Sequence, residues 1–400
     1  MTAQAHSPTR LRRSTLAALA IAAIGLTPGC GGSVEVSVNT DEDGGRVEVT
    51  TFASGLAYPW GLAFLPDGSL LVTEKPGRLR HVTRGGEVST AIAGVPAVSY
   101  SGQGGLLDVA VDPDFATNRR VYLSYTEAEG GVKGTAVARG VLSADLGTLG
   151  NVQVIFRQQP KVGGSGHFGG RLVFAPDGLL FVTLGERQLD GDRPGDQQQA
   201  QNLGSHLGKV VRIRSDGTVP DDNPFVNTAD AEPEIWSYGH RNPQGAAIHP
   251  ESGELWAVEH GPQGGDELNI VRKGRNYGWP LISYGCNYGS IPRLCDPVGG
   301  ASSAPGMEQP ISWWVPTSTA PSGLAFYTDA RIPEWRGDAF VGALAGQGLW
   351  HLELEGDNVK SRELLLGDLG RRIRDVRAGP DGWLYVLTDE SNGEILRLGR

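Results

Sequence analysis

His167 lies in the run Gly163-Gly164-Ser165-Gly166-His167-Phe168-Gly169-Gly170-Arg171, a single imidazole among glycines just ahead of an apolar strand. Imidazole is the commonest general base at neutral pH, so proton abstraction is the chemistry it suggests. Alone, a histidine in a turn says little, and its neighbours in other segments carry the argument. Gly239-His240-Arg241-Asn242-Pro243-Gln244-Gly245 offers a guanidinium fork suited to a carboxylate, with an amide beside it. Arg372 and Arg374 stand two apart, which on a strand places both on one face. Three arginines converging from separate segments could surround one anion; pairing with acids such as Asp375 is the plainer alternative. Gln103, in Gly102-Gln103-Gly104-Gly105, is another glycine-flanked polar side chain ahead of a strand. The loop Glu259-His260-Gly261-Pro262-Gln263-Gly264-Gly265-Asp266-Glu267 exposes carbonyls and carboxylates, the hard oxygen donors calcium prefers, without being an EF-hand. His260 would be a poor calcium ligand and reads as structural. Trp313 and Trp314 could wall a ring-shaped ligand or belong to the core.

The elements that must position these residues repeat along the chain. An apolar strand, a Pro-Asp-Gly-like turn and a second apolar strand recur at Pro66, Pro113, Pro176, Pro250, Asp329 and Pro380, with spacings of 47, 63, 74, 79 and 51 residues. Each copy is a hairpin signal, because Pro and Gly supply the turn and strands of alternating apolar residues flank it. Periods near 40–50 stretched by insertions are characteristic of propeller blades. The sequence therefore predicts an all-β, six-bladed β-propeller over residues 47–400. The long insertions 186–235 and 279–320 are expected on one face.

Composition narrows the class. The chain holds 59 Gly and 25 Pro in 400 residues, a large excess of turn formers, and 39% apolar residues, enough for a core. Its formal charge of −10 argues against a nucleic-acid partner. Three cysteines exclude a four-cysteine zinc site. Arg10, Arg12 and Arg13 precede the 11-residue apolar run Leu16–Leu26, a signal-peptide pattern too short to span a bilayer. Leu26-Thr27-Pro28-Gly29-Cys30 follows, similar to a bacterial lipobox. Residues 1–29 are thus expected to be a signal peptide, Cys30 the lipidated anchor of an exported periplasmic or envelope protein, and 30–46 a flexible tether. In that oxidising compartment Cys286 and Cys295 are expected to form a local disulfide.

Taken together, the segments GQGGLLDVAVDPDF, GHFGGRLVFAPDG, LGKVVRI, GHRNPQG, EHGPQGGDELN, NYGWP, APSGLAFY and RIRDVRAGPDGWLYVLTD resemble the glucose/sorbosone dehydrogenase family, and most closely its soluble aldose dehydrogenases that use pyrroloquinoline quinone (PQQ). The resemblance runs from Gly55 to about Leu396. It implies a quinone across the top of the propeller, Ca2+, an aldose substrate, a lactone product and an external quinone- or dye-like electron acceptor. By motif position, His167 resembles the catalytic base and Gln103 the glutamine beside the cofactor. Arg241, Asn242, Arg372 and Arg374 resemble the residues that hold the quinone's carboxylates and carbonyls. Tyr288 and Ala343 resemble further cofactor contacts. Gly261 and Pro262 resemble the carbonyl pair on the cofactor's calcium, and Glu267 and Tyr277 ligands of a structural calcium. Ala345 stands where the family often has a lysine near the cofactor. Two other readings of a propeller remain: a calcium-dependent lactonase with its metal in the tunnel, and a lipid-tethered binding module.

Overall fold

A computed structural model describes residues 36–38, 47–191, 197–291 and 294–400. The expected signal peptide and Cys30 lie outside these residues. Six antiparallel sheets of four or five strands are arranged as blades, and their innermost strands touch one another in a closed ring. Those inner strands are Pro59–Phe64, Leu106–Val111, Leu172–Phe174, Pro243–Ile248, Pro321–Phe326 and Ile373–Ala378, in blades 1 to 6. Blade 6 is closed by the two ends of the chain. Val47–Leu56 pairs with the C-terminal strand Gly393–Gly399, with Glu48 opposite Gly399 and Leu56 opposite Gly393. Within the segment expected to be a tether, Val36–Val38 pairs with Val47–Val49.

All six repeated turns join an inner strand to the second strand of its blade, so all lie at one end of the propeller. The turn chemistry is local. Asp67 and Asp177 each accept the N–H two residues on, at 3.0 Å in both cases. Gly68, Gly178 and Gly382 take φ of +84°, +81° and +81°, where a side chain would be strained. The second strands differ from the alternating pattern expected for them. Leu70–Glu74, Leu180–Leu184, Leu255–Glu259, Ala339–Ala343 and Leu384–Thr388 are buried at every position. Each is covered on both faces by neighbouring blades, so both residue parities must be buried.

The end opposite the turns receives the start of each inner strand and the end of each second strand. Pro59 pairs with Glu74, Pro243 with Glu259, Pro321 with Ala343 and Ile373 with Thr388. Just inside this end, five of the six inner strands slip register by a bulge. The bulged stretches hold Trp60-Gly61, Leu107-Asp108, Gln244, Ser322-Gly323 and Arg374, and bulges re-aim side chains. One layer of the tunnel is consequently filled by ions. Buried Arg171 donates to Asp108 at 2.9 Å and pairs with Asp375 at 3.2 Å, while Arg377 reaches the same two acids at 3.4 and 3.3 Å. Glycine makes room for them: a Cβ on Gly61 would lie 2.3 Å from Asp108 Oδ1, and one on Gly323 2.4 Å from Asp375 Oδ1.

The insertions divide between the two ends. Residues 185–191 and 197–208 follow a second strand at the end opposite the turns, and the described part of 279–320 reaches that end through Trp279 and Tyr288. Residues 214–234 instead join Lys209–Ile213 to Ile235–Tyr238 at the turn end, correcting the expectation that all of 186–235 shares one face. The order of strands explains it: a third strand runs away from the site end, so the loop after it emerges at the other end.

Candidate functional site

His167 is held by three elements. Its backbone takes φ +49°, a left-handed conformation rare for a side-chain-bearing residue and found preferentially where function requires it. The His167 N–H donates to Gln103 Oε1 at 2.7 Å, and the Gln103 N–H to Ser165 O at 2.8 Å, locking the two glycine-rich loops together. Arg187 fixes the glycine run from below. Its guanidinium donates to Gly166 O at 2.8 Å and Lys133 O at 2.7 Å and lies 3.7 Å from the Phe168 ring centroid. The imidazole Nδ1 makes a short hydrogen bond with Glu186 Oε1. Glu186 Oε2 in turn accepts the N–H groups of Leu189 at 2.6 Å and Asp190 at 2.9 Å. This carboxylate orients the ring with Nδ1 as donor and leaves Nε2, which has no hydrogen-bond partner among the described residues, available as a base. Burial, then the charges of Arg241 and Arg187, hold the His167 pKa well below its ordinary value. The ring is therefore neutral at pH 7 and can accept a proton. Glu186 was not identified from sequence; its signal is an acid two residues after a second strand, in Leu184-Gly185-Glu186, beside the neighbouring blade whose second strand ends in Glu259.

A cavity of about 190 Å³ opens beside His167, lined also by Glu186, Asp190, Arg241, Pro262, Trp279 and Tyr288. The motifs GHRNPQG, EHGP and NYGWP meet at its wall. His240 Nδ1 bonds Glu259 Oε1 at 2.9 Å, and Glu259 Oε2 accepts the Arg241 N–H at 2.7 Å. The Tyr277 ring stacks on His240, centroids 4.5 Å apart, and Trp279 lies under the Arg241 guanidinium at 5.1 Å. The remaining arginines are reached through a hydrogen-bonded chain. Gly169 donates to Asn242 Oδ1 at 3.2 Å, as does Gln244 Nε2 at 3.3 Å, and Arg374 donates to Gln244 Oε1 at 2.9 Å. Arg372 and Arg374 both reach Asp389 Oδ2 at 3.1 Å. Burial alone would raise the Asp389 pKa; Arg374, Arg372 and Lys75 overcome this and hold it at about 2.

The fold thus brings His167, Gln103, Arg241, Arg372 and Arg374 to one end of the molecule. Others sit differently from expectation. Asn242 is fully buried and its amide is engaged with Gly169, Gln244 and His260, so it braces the site from beneath. Ala343 is fully buried at the end of its strand, while Tyr288 is 62% exposed on the cavity rim. His260 is structural, as expected: its Nε2 donates to Pro321 O at 2.8 Å, and burial, followed by His167 and Arg241, pushes its pKa down to about 3. Trp314 is core and Trp313 stacks on Tyr284 away from the cavity. The expected Cys286–Cys295 disulfide is present and pins the loop carrying Tyr288.

An anionic cofactor suits this end. Among the described residues, Arg241 Nε and Arg374 Nε are buried without partners, and the three arginines have one ion-paired carboxylate between them, Asp389. For calcium, the Gly261 carbonyl accepts Arg241 Nη1 at 2.6 Å, so an ion there would share that oxygen or displace the guanidinium. Glu267 is better matched. Burial and then Glu259 push its pKa up to about 8, the Asn269 amide donates to it at 3.1 Å, and Asn269 Oδ1 is buried with no partner among the described residues. Such a set of oxygens is short of a cation. The Tyr277 hydroxyl is less suited, since it accepts the Arg272 N–H at 2.8 Å and donates to Ile270 O. A separate group, His206 with Glu232 and Glu234, converges within 4.8 Å. His206 Nδ1 accepts the Gln159 N–H at 3.0 Å, so Nε2 carries the proton and turns it towards the glutamates, an arrangement for hydrogen bonding rather than for a metal.

A propeller with a carboxylate-oriented imidazole and clustered arginines at one end defines the class to which known proteins can be compared. The glucose/sorbosone dehydrogenase family model matches residues 56–397, and the chain belongs to that family of sugar-oxidising oxidoreductases. It is 48% identical to the aldose sugar dehydrogenase YliI of Escherichia coli (strain K12) over 354 residues, covering 88% of this chain and 92% of that protein. A crystal structure of a glucose dehydrogenase aligns with a TM-score of 0.83 at 52% identity, covering 88% of this chain and 99% of the other. The PQQ-bound form of an aldose sugar dehydrogenase from Streptomyces coelicolor aligns with a TM-score of 0.71 at 32% identity, covering 88% and 98%.

Proposed function

We propose that this protein oxidises aldose sugars at the anomeric carbon to lactones, with PQQ as cofactor, Ca2+ as its companion ion and an external quinone- or dye-like acceptor. The observation that carries the reading is the His167–Glu186 pair: a neutral imidazole, held by Nδ1, with Nε2 open beside a cavity walled by Arg241. His167 Nε2 takes the proton of the sugar's anomeric hydroxyl, and Glu186 stabilises the imidazolium that forms. The quinone, when bound, supplies the acceptor for the anomeric hydride. Arg241, Arg372 and Arg374 hold its carboxylates and act by charge alone, since guanidinium stays protonated. Gln103 fixes the height of His167 through its backbone N–H, and Tyr288 covers the cavity mouth. Gly261 and Pro262 present carbonyls to the cofactor's calcium, and Glu267 with the Tyr277 segment serves a structural one. Ala343, fully buried at the end of its strand, contributes as a small residue beneath the cofactor. Export and lipid anchoring at Cys30 belong to the same reading.

The lactonase alternative has little to support it, because the tunnel layer at Asp108 and Asp375 is occupied by Arg171 and Arg377 rather than shaped as an oxygen cage. Purified protein supplied with PQQ and Ca2+ is expected to reduce a dye with a panel of aldoses and to release lactone. Dye reduction by no aldose, together with no quinone absorbance retained after desalting, would leave the binding-module reading in its place.

A further inference from the structure

Lys75, one of the cations that hold down the Asp389 pKa, has no ligand-binding role in the reading above. It follows directly on the second strand of blade 1, Leu70–Glu74. Because Glu74, Glu259, Ala343 and Thr388 each pair with the first residue of their inner strand, Lys75 occupies the same place in blade 1 as His260, Leu344 and Asp389 in blades 4, 5 and 6. Those three residues all touch the site arginines or their supports: His260 through Asn242, Leu344 through Arg372, and Asp389 through Arg372 and Arg374. The Lys75 ammonium donates to Gly102 O at 3.1 Å, beside Gln103, and lies 5.9 Å from the Tyr58 and 5.8 Å from the Tyr100 ring centroid. No carboxylate lies within salt-bridge distance of it among the described residues. Burial, and then Arg374, lower its pKa, with Asp389 opposing and Arg372 adding to the effect.

We propose that Lys75 is a further anion-binding residue: it supplies a positive charge from blade 1 to the carboxylates of the cofactor, completing with Arg372 and Arg374 a cationic arc that Asp389 only partly neutralises. This rests on the functional reading above and adds to it a residue on the side of the axis away from Arg241. An ammonium fixed by a hydrogen bond beside two aromatic rings is held in place before any ligand arrives, which lowers the ordering cost of binding.

The test is calorimetric titration of the calcium-supplemented, quinone-free protein with PQQ, without any turnover. Lys75→Gln keeps a donor for Gly102 O but carries no charge. It is expected to bind PQQ roughly 10- to 100-fold more weakly at low salt, the range for loss of one charge-assisted contact, with the gap narrowing as salt is raised. Lys75→Arg is expected to restore affinity to within about threefold of the wild type. Equal affinity of Lys75→Gln and wild type would overturn the role of Lys75 while leaving the quinone reading intact. Absence of PQQ binding by the wild type would overturn both. A melting curve of Lys75→Gln matching the wild type's shows that weakened binding is not misfolding; should it melt early, the Lys75→Arg titration and its salt dependence decide the matter.

Discussion

The two ends of the propeller are built from the same strands and obey different rules. At one end, six turns close six hairpins; those at Pro66, Pro176 and Pro380 carry Pro-Asp-Gly in the same order, and the turns at Asp67 and Asp177 are satisfied by their own backbone and side chains. At the other end the connections differ in every blade, inner strands bulge, non-glycine residues adopt left-handed φ at His167 and Arg187, and charged side chains are buried. Stability at the first end is local, whereas at the second it depends on contacts between blades. The contrast follows from the work each end does: a site assembled from separate blades needs different side chains at equivalent positions, so repetition must be abandoned there.

The largest effect should come from His167. His167→Gln keeps a polar side chain in the same space and removes the base, and turnover is expected to fall by about 10²–10⁴-fold, with PQQ affinity nearly unchanged by titration. Unchanged turnover would remove His167 from the chemistry. Glu186→Gln should follow, with a loss on the order of 10²-fold. The amide cannot stabilise the imidazolium, and it can donate to Nδ1 and so favour the unproductive tautomer. A drop in KM-independent turnover with the folded state intact by circular dichroism is the expected signature.

A pH profile sharpens the same point. His167 must be neutral to accept a proton, and burial with Arg241 and Arg187 lowers its pKa below 6.5. Protonation therefore inactivates the base only at low pH. In wild-type enzyme, kcat/KM is expected to hold level from pH 8 through 6.5 and to decline only well below it. An acid limb centred at or above 6.5 would show that the imidazole is not the buried, cation-flanked group described.

The regular end was legible in the sequence and the irregular end only in part. Six Pro-Asp-Gly-like turns sufficed to count blades, because a tight turn is encoded within about four adjacent residues. His167, Arg241, Arg372 and Arg374 stood out because glycine-rich runs and paired arginines are visible locally. Glu186 did not, since what makes it important is a neighbour 19 residues away across a loop. The tunnel ions Asp108, Arg171 and Asp375 were equally hidden. Their partners lie 63 or more residues apart, and the bulge that carries Asp108 leaves no mark in composition. Asn242 shows the converse: a conspicuous amide whose donors and acceptor are spent inside the protein.

Metal removal tests a smaller, structural part of the site end. If Glu267 and its neighbours hold calcium, chelation should lower the melting temperature, and Ca2+ at 100 times its dissociation constant should restore about 2.7 kcal/mol. Glu267→Gln keeps the shape of the side chain but cannot become the carboxylate that a bound cation would stabilise, so its melting temperature should no longer respond to Ca2+. A response equal to wild type would place the ion elsewhere.

The smallest effect should come from the turn end. Gly178 takes φ +81° with nothing within 4 Å of the position a Cβ would occupy, so Gly178→Ala adds backbone strain and no clash. The left-handed conformation costs an L-residue about 1 kcal/mol, partly offset by the lower entropy of the unfolded chain. For a domain of this size that is a fall of roughly 1–2 °C in melting temperature. Turnover should not move, because the strain is absorbed in a hairpin whose hydrogen bonds, Gly178 N–H to Ala175 O and Ala175 N–H to Leu179 O, close within the turn itself. A measurable change in kcat from Gly178→Ala would mean that the two ends are mechanically coupled through the inner strand Leu172–Phe174. The separation of a repetitive, local end from an irregular, cooperative one would then have to be abandoned.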